Sequence, residues 1–300
     1  MKTLTIFTPT YNRAELLVRG YEALKRQTYK DFTWMIIDDG SIDNTKQIVE
    51  KWLNECNDFH IEYYYKENGG LYTAYNYAIE KTNTELMVCI DSDDYMPDDA
   101  VDKILNHWKK YGSDEVAGIV GLDYYMNDKV IGDKLPNQRT VNLIDLLVGK
   151  FNIINGDRTI VIRTEIYKKY SPLIGFKGEK NFNPHYIHLN ISKDYDFLVL
   201  NENLRYVEYQ ENGMTANIFK QYYNSPNSFK KTRELYLSFK DTPFNFKLKN
   251  SIHYVSSCIL SRNLKDIFKN QCGFIYMISS IIPGLLLTLI VLYKARQKAW

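Results

Sequence analysis

The chain has 300 residues, 45% hydrophobic and 25% charged, which suits one large domain, or a domain with a substantial appendage, and excludes a disordered polymer. Its formal net charge of +2 argues against a protein built to bind nucleic acid, which would show a basic excess. The cysteines Cys56, Cys89, Cys258 and Cys272 form no CxxC pair and no zinc-spaced His/Cys cluster, the usage of a reducing compartment. Lys2 precedes an apolar stretch too short for a secretory leader.

The first part of the chain alternates β-rich runs with helical patterns. Leu4–Thr8 reads as a strand, followed from about Arg13 by a helix with Leu17, Tyr21 and Leu24 on one face and Asn12 placed to cap it. Phe32–Ile37 is a second strand. Ser41 or Asp43 can cap the next helix, which carries Ile48, Val49, Trp52 and Leu53. Ile61–Tyr65 is a third strand, and Tyr72–Ile79 is helical. A fourth strand, Glu85–Ile90, runs directly into Asp91, and Pro97 opens a helix through Ala100, Ile104 and Trp108. Strands separated by helices of this length imply parallel βαβ units, hence an α/β fold with helices on both sheet faces.

Ligands of such sheets sit beyond the carboxyl ends of the strands. There the sequence places Thr8-Pro9-Thr10-Tyr11-Asn12-Arg13, Asp38-Asp39-Gly40-Ser41 and Asp91-Ser92-Asp93-Asp94. Core packing gives no reason for carboxylates at those positions. Asp91 and Asp93 supply hard oxygen ligands suited to Mg²⁺ or Mn²⁺ bound with a diphosphate, although a solvated turn with capping aspartates has the same composition. Asp39 can accept a hydrogen bond from a base or a ribose, while Gly40 and Ser41 also suit an ordinary turn. Asn68-Gly69-Gly70 opens a helix and can present backbone N–H groups to an anion. No G-x-G-x-x-G or Walker A sequence occurs, which counts against oxidoreductase and P-loop readings.

Farther on, Val116–Leu122 and Thr159–Ile162 read as strands, and Asn155-Gly156-Asp157-Arg158 as a polar turn. Gly175–His188 reads as a functional loop, and Asn217–Lys249 as helical. From Phe274 to Tyr293 no residue is charged, and Lys294, Arg296 and Lys298 follow. Pro283-Gly284 and Ser279-Ser280 suggest two short helices with a bend. Together these point to a membrane-embedded or re-entrant anchor at an anionic cytoplasmic leaflet, with a true span or a buried hairpin as alternatives.

In order and spacing across about the first 110 residues, the four motifs Thr8–Arg13, Asp38–Ser41, Asn68–Gly70 and Asp91–Asp94 resemble the family 2 glycosyltransferases. Asn203–Tyr209 with Gly213-Met214-Thr215 is similar to bacterial members that build capsule or other surface polysaccharides. The resemblance implies a GT-A fold with a mostly parallel sheet and inverting transfer from a nucleotide sugar, usually a UDP-sugar with Mg²⁺ or Mn²⁺. It assigns Pro9, Tyr11 and Asp39 to the nucleoside, Asp91 to the ribose and Asp93 to the metal. Thr10, Asn12, Arg13, Asn68, Gly69, Gly70 and Ser92 complete the donor site it implies.

Two departures stand out. Tyr75 precedes Asn76 where relatives often carry a phosphate-binding Arg, and the family's acidic base position falls near Pro184. Glu179 and Asp157, then His185, are the remaining candidates for a general base; His185 and His188 also suit surface or packing roles. The expected division is a catalytic domain over 1–215 (donor half about 1–115, acceptor half about 116–215), a helical extension over 216–272 and a membrane-associating segment over 273–300. The expected acceptor is a lipid-linked or growing glycan at the cytoplasmic membrane face, with no nucleic-acid partner. A non-catalytic nucleotide-binding subunit and a sugar-phosphate nucleotidyltransferase are the rival readings.

Overall fold

The computed structural model describes residues 3–210, 213, 216–269 and 273–297. Met214 and Thr215 of the surface-polysaccharide resemblance, Cys272 and Lys298 lie outside them. The elements are, in order, β1 (Leu4–Thr10), α1 (Ala14–Arg26), β2 (Phe32–Asp38), α2 (Thr45–Glu55), β3 (His60–Tyr65), α3 (Leu71–Lys81), β4 (Leu86–Cys89), α4 (Ala100–Tyr111) and β5 (Val116–Tyr125). Then come β6 (Thr140–Val141), α5 (Leu143–Leu147), β7 (Arg158–Arg163), α6 (Thr164–Tyr170), α7 (His185–Ile191) and β8 (Asp196–Val207). Helices α8 (Ile218–Asn224), α9 (Pro226–Leu237), α10 (Phe244–Leu260) and α11 (Phe274–Gln297) end the chain, with a 3-10 turn at Leu264–Lys269 before α11. The chain divides into two compact units, Met1–Pro172 with Ile187–Glu208, and Leu173–Tyr186 with Tyr209–Trp300.

The first unit is built on one eight-stranded sheet of order β3-β2-β1-β4-β7-β5-β8-β6. Strands β1 to β4 pair in parallel, as the βαβ spacing predicts, and β5 pairs in parallel with β8. Strand β7 is inserted antiparallel between β4 and β5, so β4, β5 and β8 all run toward the same edge. The start of β7 lies at that edge too. Val88 pairs with Val161, and from there the two chains continue to Asp91 and back to Asp157.

Alternation along β1 divides the two faces. Leu4 and Ile6 pack with Trp34, Leu86 and Val88 against Leu17 and Leu24 of α1, Trp52 of α2 and Ile104 and Trp108 of α4. Phe7 points the other way and meets Tyr75 of α3 edge-on, the ring centroids 4.9 Å apart. Tyr21 stacks on Trp52 at 4.4 Å, fixing α1 against α2.

Two local expectations give way. Asn12 does not cap α1: it sits at φ +52°, its Oδ1 accepting from Ile42 N–H and its own N–H donating to Ser41 Oγ. The cap comes from Asp43, whose Oδ2 accepts from Ala14 N–H of α1 while Oδ1 accepts from Thr45 N–H and Oγ1 of its own helix. The apolar terminal segment is also one continuous 24-residue helix with Pro283 inside it, not two helices with a bend. The Thr288 hydroxyl donates to the Gly284 carbonyl within the same helix.

The second unit is helical and contains both α8–α10 and α11. Its core joins Leu237, Tyr254, Val255, Cys258 and Ile267. Gly175–Tyr186 belongs to the same unit, where Phe182 is buried and its ring meets that of Tyr186 at a tilt, the centroids 5.0 Å apart.

Candidate active site

The carboxyl ends of β1, β2 and β4 bring the predicted motifs together. Pro9 and Thr10 are buried at the end of β1, whereas Tyr11 stands 47% exposed beyond it. The Thr10 carbonyl accepts from Asp39 N–H at 2.9 Å, so the first two motifs meet through backbone. Arg13 then reaches across to the fourth. Its Nη1 lies 2.8 Å from Asp93 Oδ2 and donates to Ser92 Oγ at 3.4 Å.

Asp38 and Asp39 have separate tasks. Asp38 accepts from Ser41 N–H at 2.8 Å and from the Tyr63 hydroxyl at 2.6 Å, which builds the turn. Burial, and then this hydrogen bond and the Asp38 charge, push the Tyr63 phenol above its ordinary range. Asp39, 5% exposed, turns toward the Gly-Gly loop. Its Oδ1 accepts from Gly69 N–H at 3.0 Å and from Lys66 Nζ at 2.6 Å, and its Oδ2 accepts from Gly70 N–H at 2.8 Å. Asn68 Nδ2 donates to the Asp39 carbonyl. The anion on these glycine amides is therefore the protein's own carboxylate, where the sequence suggested an incoming ligand. Gly40, at φ +85°, lets the loops approach: a Cβ there would lie 2.8 Å from Asn68 N.

Under the Asp91–Asp94 run lies a charge cluster that the motifs alone do not reveal. Asp123, fully buried at the carboxyl end of β5, accepts from Thr159 Oγ1 at 2.6 Å and pairs with the Arg205 guanidinium from β8. Arg205 Nη1 in turn lies 3.3 Å from Asp94 Oδ2 and 3.6 Å from Asp91 Oδ2. Burial opposes the Arg205 charge, but Asp123, Asp94 and Asp91 more than offset it and keep the group protonated. Burial pushes Asp94 up to about 8 against the pull of Arg205, with repulsion from Asp91, Asp93 and Asp123 adding to it. One guanidinium thus faces three carboxylates, which raises the proton affinity of Asp94. Asp94 is no solvated turn residue; its Oδ1 also accepts from Glu208 N–H.

Asp91 is different. Its side chain remains 42% exposed, yet surrounding protein raises its pKa, Arg205 pulls it down, and Asp93 raises it again. Asp93 is held by Arg13, and its carbonyl accepts from Arg19, which also pairs with Glu208 at 2.6 Å. Among the described residues no three His, Cys, Asp or Glu side chains form a metal cage. Two adjacent carboxylates fit the other mode, in which Mg²⁺ or Mn²⁺ takes one or two protein oxygens and the rest from phosphates and water.

The sequence model described as glycosyl transferase family 2 matches residues 5–177, more than half of the chain and all four motifs. The chain belongs to glycosyl transferase family 2. An uncharacterized glycosyltransferase of Mycoplasma genitalium is 29% identical over 137 residues, 44% of this chain and 45% of that protein. Glycosyltransferase GlyG of Streptococcus pneumoniae is 28% identical over 131 residues, 43% of this chain and 42% of its own length. The chain thus spans less than half the length of these curated relatives. In three dimensions, S. aureus TarS 1-349 in complex with UDP-GlcNAc superposes with TM-score 0.59 at 17% identity, covering 94% of this chain and 79% of that one. The mannosyltransferase PcManGT from Pyrobaculum calidifontis, in complex with GDP-Man and Mn²⁺, gives 0.58 at 16% identity, covering 95% and 86%. These likenesses show the GT-A fold.

Against that fold, the two base candidates of this family 2 chain part ways. Glu179 is 8% exposed, and its two oxygens accept from Asn227 N–H and Nδ2 and from Ser228 N–H and Oγ, all at 2.6–2.9 Å. It caps α9. Four donors occupy its carboxylate, so in this structure Glu179 serves as a helix cap. Asp157 is exposed at the start of β7, on the edge that carries Asp91. Pro184 is buried. His188 packs on Tyr167, Nε2 2.8 Å from the hydroxyl, as the packing reading expects. Tyr75, in place of the phosphate-binding Arg, is buried with its phenol raised far out of range by burial.

Sequence reasoning passed over Arg205, Asp123, Lys66 and Arg19. Asp123 had a usable signal, since Val116–Leu122 is a third apolar strand ending on an aspartate. Lys66 had none, being one lysine in a polar turn.

Proposed function

We propose that this chain is an inverting glycosyltransferase. It moves a sugar from a nucleotide sugar, a UDP-sugar by the family resemblance, to a lipid-linked or growing glycan at the cytoplasmic face of a membrane. The observation that carries this reading is the junction at one sheet edge of Asp39 on the Gly-Gly loop with the Arg13–Asp93 pair, in a chain of this family. The UDP-GlcNAc held by TarS and the GDP-Man with Mn²⁺ held by PcManGT support a nucleotide-sugar donor.

In this reading Pro9, Tyr11 and Asp39 receive the nucleoside and Asp91 the ribose. Asp93, with Asp91 beside it, would hold Mg²⁺ or Mn²⁺, which supplies neutralisation of charge on the leaving nucleoside diphosphate. Arg13 holds Asp93 in position from the side. Asp157 takes the proton from the acceptor hydroxyl as its oxygen bonds to the anomeric carbon, and the bond from that carbon to the diphosphate breaks.

Binding of a panel of UDP-, GDP- and dTDP-sugars with Mn²⁺, followed by product analysis, tests this. The expected result is one preferred donor class and at least tenfold weaker binding by Asp93→Ala. No binding, or equal binding by the variant, would overturn the assignment. A second reading, a nucleotide-binding subunit without turnover, is favoured by buried Pro184 at the family's base position and by the capping role of Glu179. Transfer to native acceptor in membranes excludes it.

A further inference from the structure

Helix α11 has two unlike faces. Ser280, Gly284, Thr288 and Val291 are buried. They seat the helix on α10: a Cβ on Gly284 would come within 2.6 Å of Val255, and Thr288 Oγ1 lies 3.1 Å from Ser256 Oγ. Nearer the start of both helices, the Phe244 and Tyr276 rings are 5.2 Å apart. These pairs set α10 and α11 parallel and in contact for about three turns. On the opposite face Ile275, Ile278, Ile282, Leu286, Leu289 and Tyr293 are 50% to 70% exposed. A continuous apolar row of this size marks an interaction surface.

The charge of the same unit says what it meets. Leu173–Tyr186 and Tyr209–Trp300 hold 15 Lys and Arg against 5 Asp and Glu, a net +10 within a chain of net +2. Lys294 and Arg296 follow the apolar row directly. A second copy of this unit would bring +10 against +10. An anionic surface with an apolar interior is complementary to both features.

We propose that α11 lies in the plane of an anionic lipid surface, its isoleucine and leucine face at the headgroup–acyl boundary, and does not cross the bilayer. Length alone permits crossing, since 24 residues extend about 36 Å. What opposes it is α10. Crossing would draw in the helix that runs beside α11, with Lys247, Lys249, His253 and the Asn250–Arg233 hydrogen bond. Charged and polar groups at that depth are expensive. The inference rests on the membrane part of the proposed function and requires neither donor nor metal.

Co-sedimentation of the full-length protein with vesicles tests it. Binding to phosphatidylcholine–phosphatidylglycerol vesicles is expected to exceed binding to pure phosphatidylcholine by roughly tenfold or more. Ile282→Asp with Leu286→Asp, both at exposed positions, is expected to abolish binding. Lys294→Glu with Arg296→Glu keeps the apolar row and is expected to weaken anionic binding by roughly tenfold or more. Asp93→Ala is expected to bind vesicles like the wild type, which separates this inference from the sugar-transfer reading. A protease site and tag added after Trp300 reports topology: in-plane seating leaves it cleavable from outside sealed vesicles. A protected tag, equal binding to both lipid mixtures, or a dimer sealed through α11 without vesicle binding overturns the proposal.

Discussion

Arg13 Nη1 lies 2.8 Å from Asp93 Oδ2, so the carboxylate assigned to the metal is paired with a guanidinium from the loop after β1. On the proposed assignment, a cation at Asp93 would have to share it with that charge. Arg13→Ala is therefore expected to tighten Mn²⁺ binding in the absence of nucleotide by about tenfold, the scale of losing one nearby like charge at a partly exposed site. Mn²⁺ titration followed by electron paramagnetic resonance measures it, with Asp93→Ala as the variant that loses the site.

Asp39 and Lys66 form a second pair whose value is partly structural. Asp39→Asn would leave one of Lys66, Gly69 N–H and Gly70 N–H facing an amide donor in a buried setting. The expected cost is about 2 kcal/mol of stability, with loss of nucleotide binding. Urea unfolding beside nucleotide titration separates the two effects.

Glu179→Gln and Asp157→Asn should behave in opposite ways. The first is expected to lower stability by about 1–2 kcal/mol through a weakened α9 cap and to leave the transfer rate within a few-fold. The second is expected to keep stability and lower the rate by about 10²–10⁴-fold. Equal rate losses in both would return Glu179 to the catalytic group.

Asp123→Ala removes the closest partner of buried Arg205. Asp94 and Asp91 still face the guanidinium, so the expected cost, about 1–3 kcal/mol, stays below that of a fully uncompensated buried charge. Thermal unfolding checks it, and Thr159→Val, which removes only one hydrogen bond to Asp123, should cost about 1 kcal/mol.

Asp43 holds the first turns of both α1 and α2. Burial opposes its charge, but the hydrogen bonds from Thr45 and Ala14 outweigh that and depress its pKa. A depressed pKa means the stabilisation is complete above the unfolded carboxylate range and is lost as pH falls through the lower folded value. Asp43→Ala is thus expected to cost about 1–2 kcal/mol near neutral pH, with the difference from wild type closing in acid. Parallel urea titrations across the acid range measure it.

The parallel part of the sheet was legible because its strands are short apolar runs, with β1 and β2 ending on Thr10 and Asp38 and β4 leading to Asp91, and the helices between them repeat their apolar positions at helical spacing. The antiparallel insertion of β7 was not legible, since Thr159–Ile162 has the same apolar character in either direction. The convergence of the motifs at one sheet edge could be read because their residues are clustered locally at strand ends. Arg205 could not, because its meaning depends on Asp123, Asp94 and Asp91 arriving from other strands. The cap role of Glu179 was hidden for a related reason: a carboxylate in a Gly- and Lys-rich loop looks free until Asn227 and Ser228, nearly fifty residues later, supply its donors.

The contact between Gly40 and Asn68 has a further consequence. Because a side chain at 40 would strike the backbone of the next loop, the Asp38–Ser41 turn and the Asn68–Gly70 turn form a single mechanical part. Changing the donor preference by grafting a turn from a relative should therefore succeed only when both segments are exchanged as a set. A graft of one alone would leave Asp39 without its amide seat.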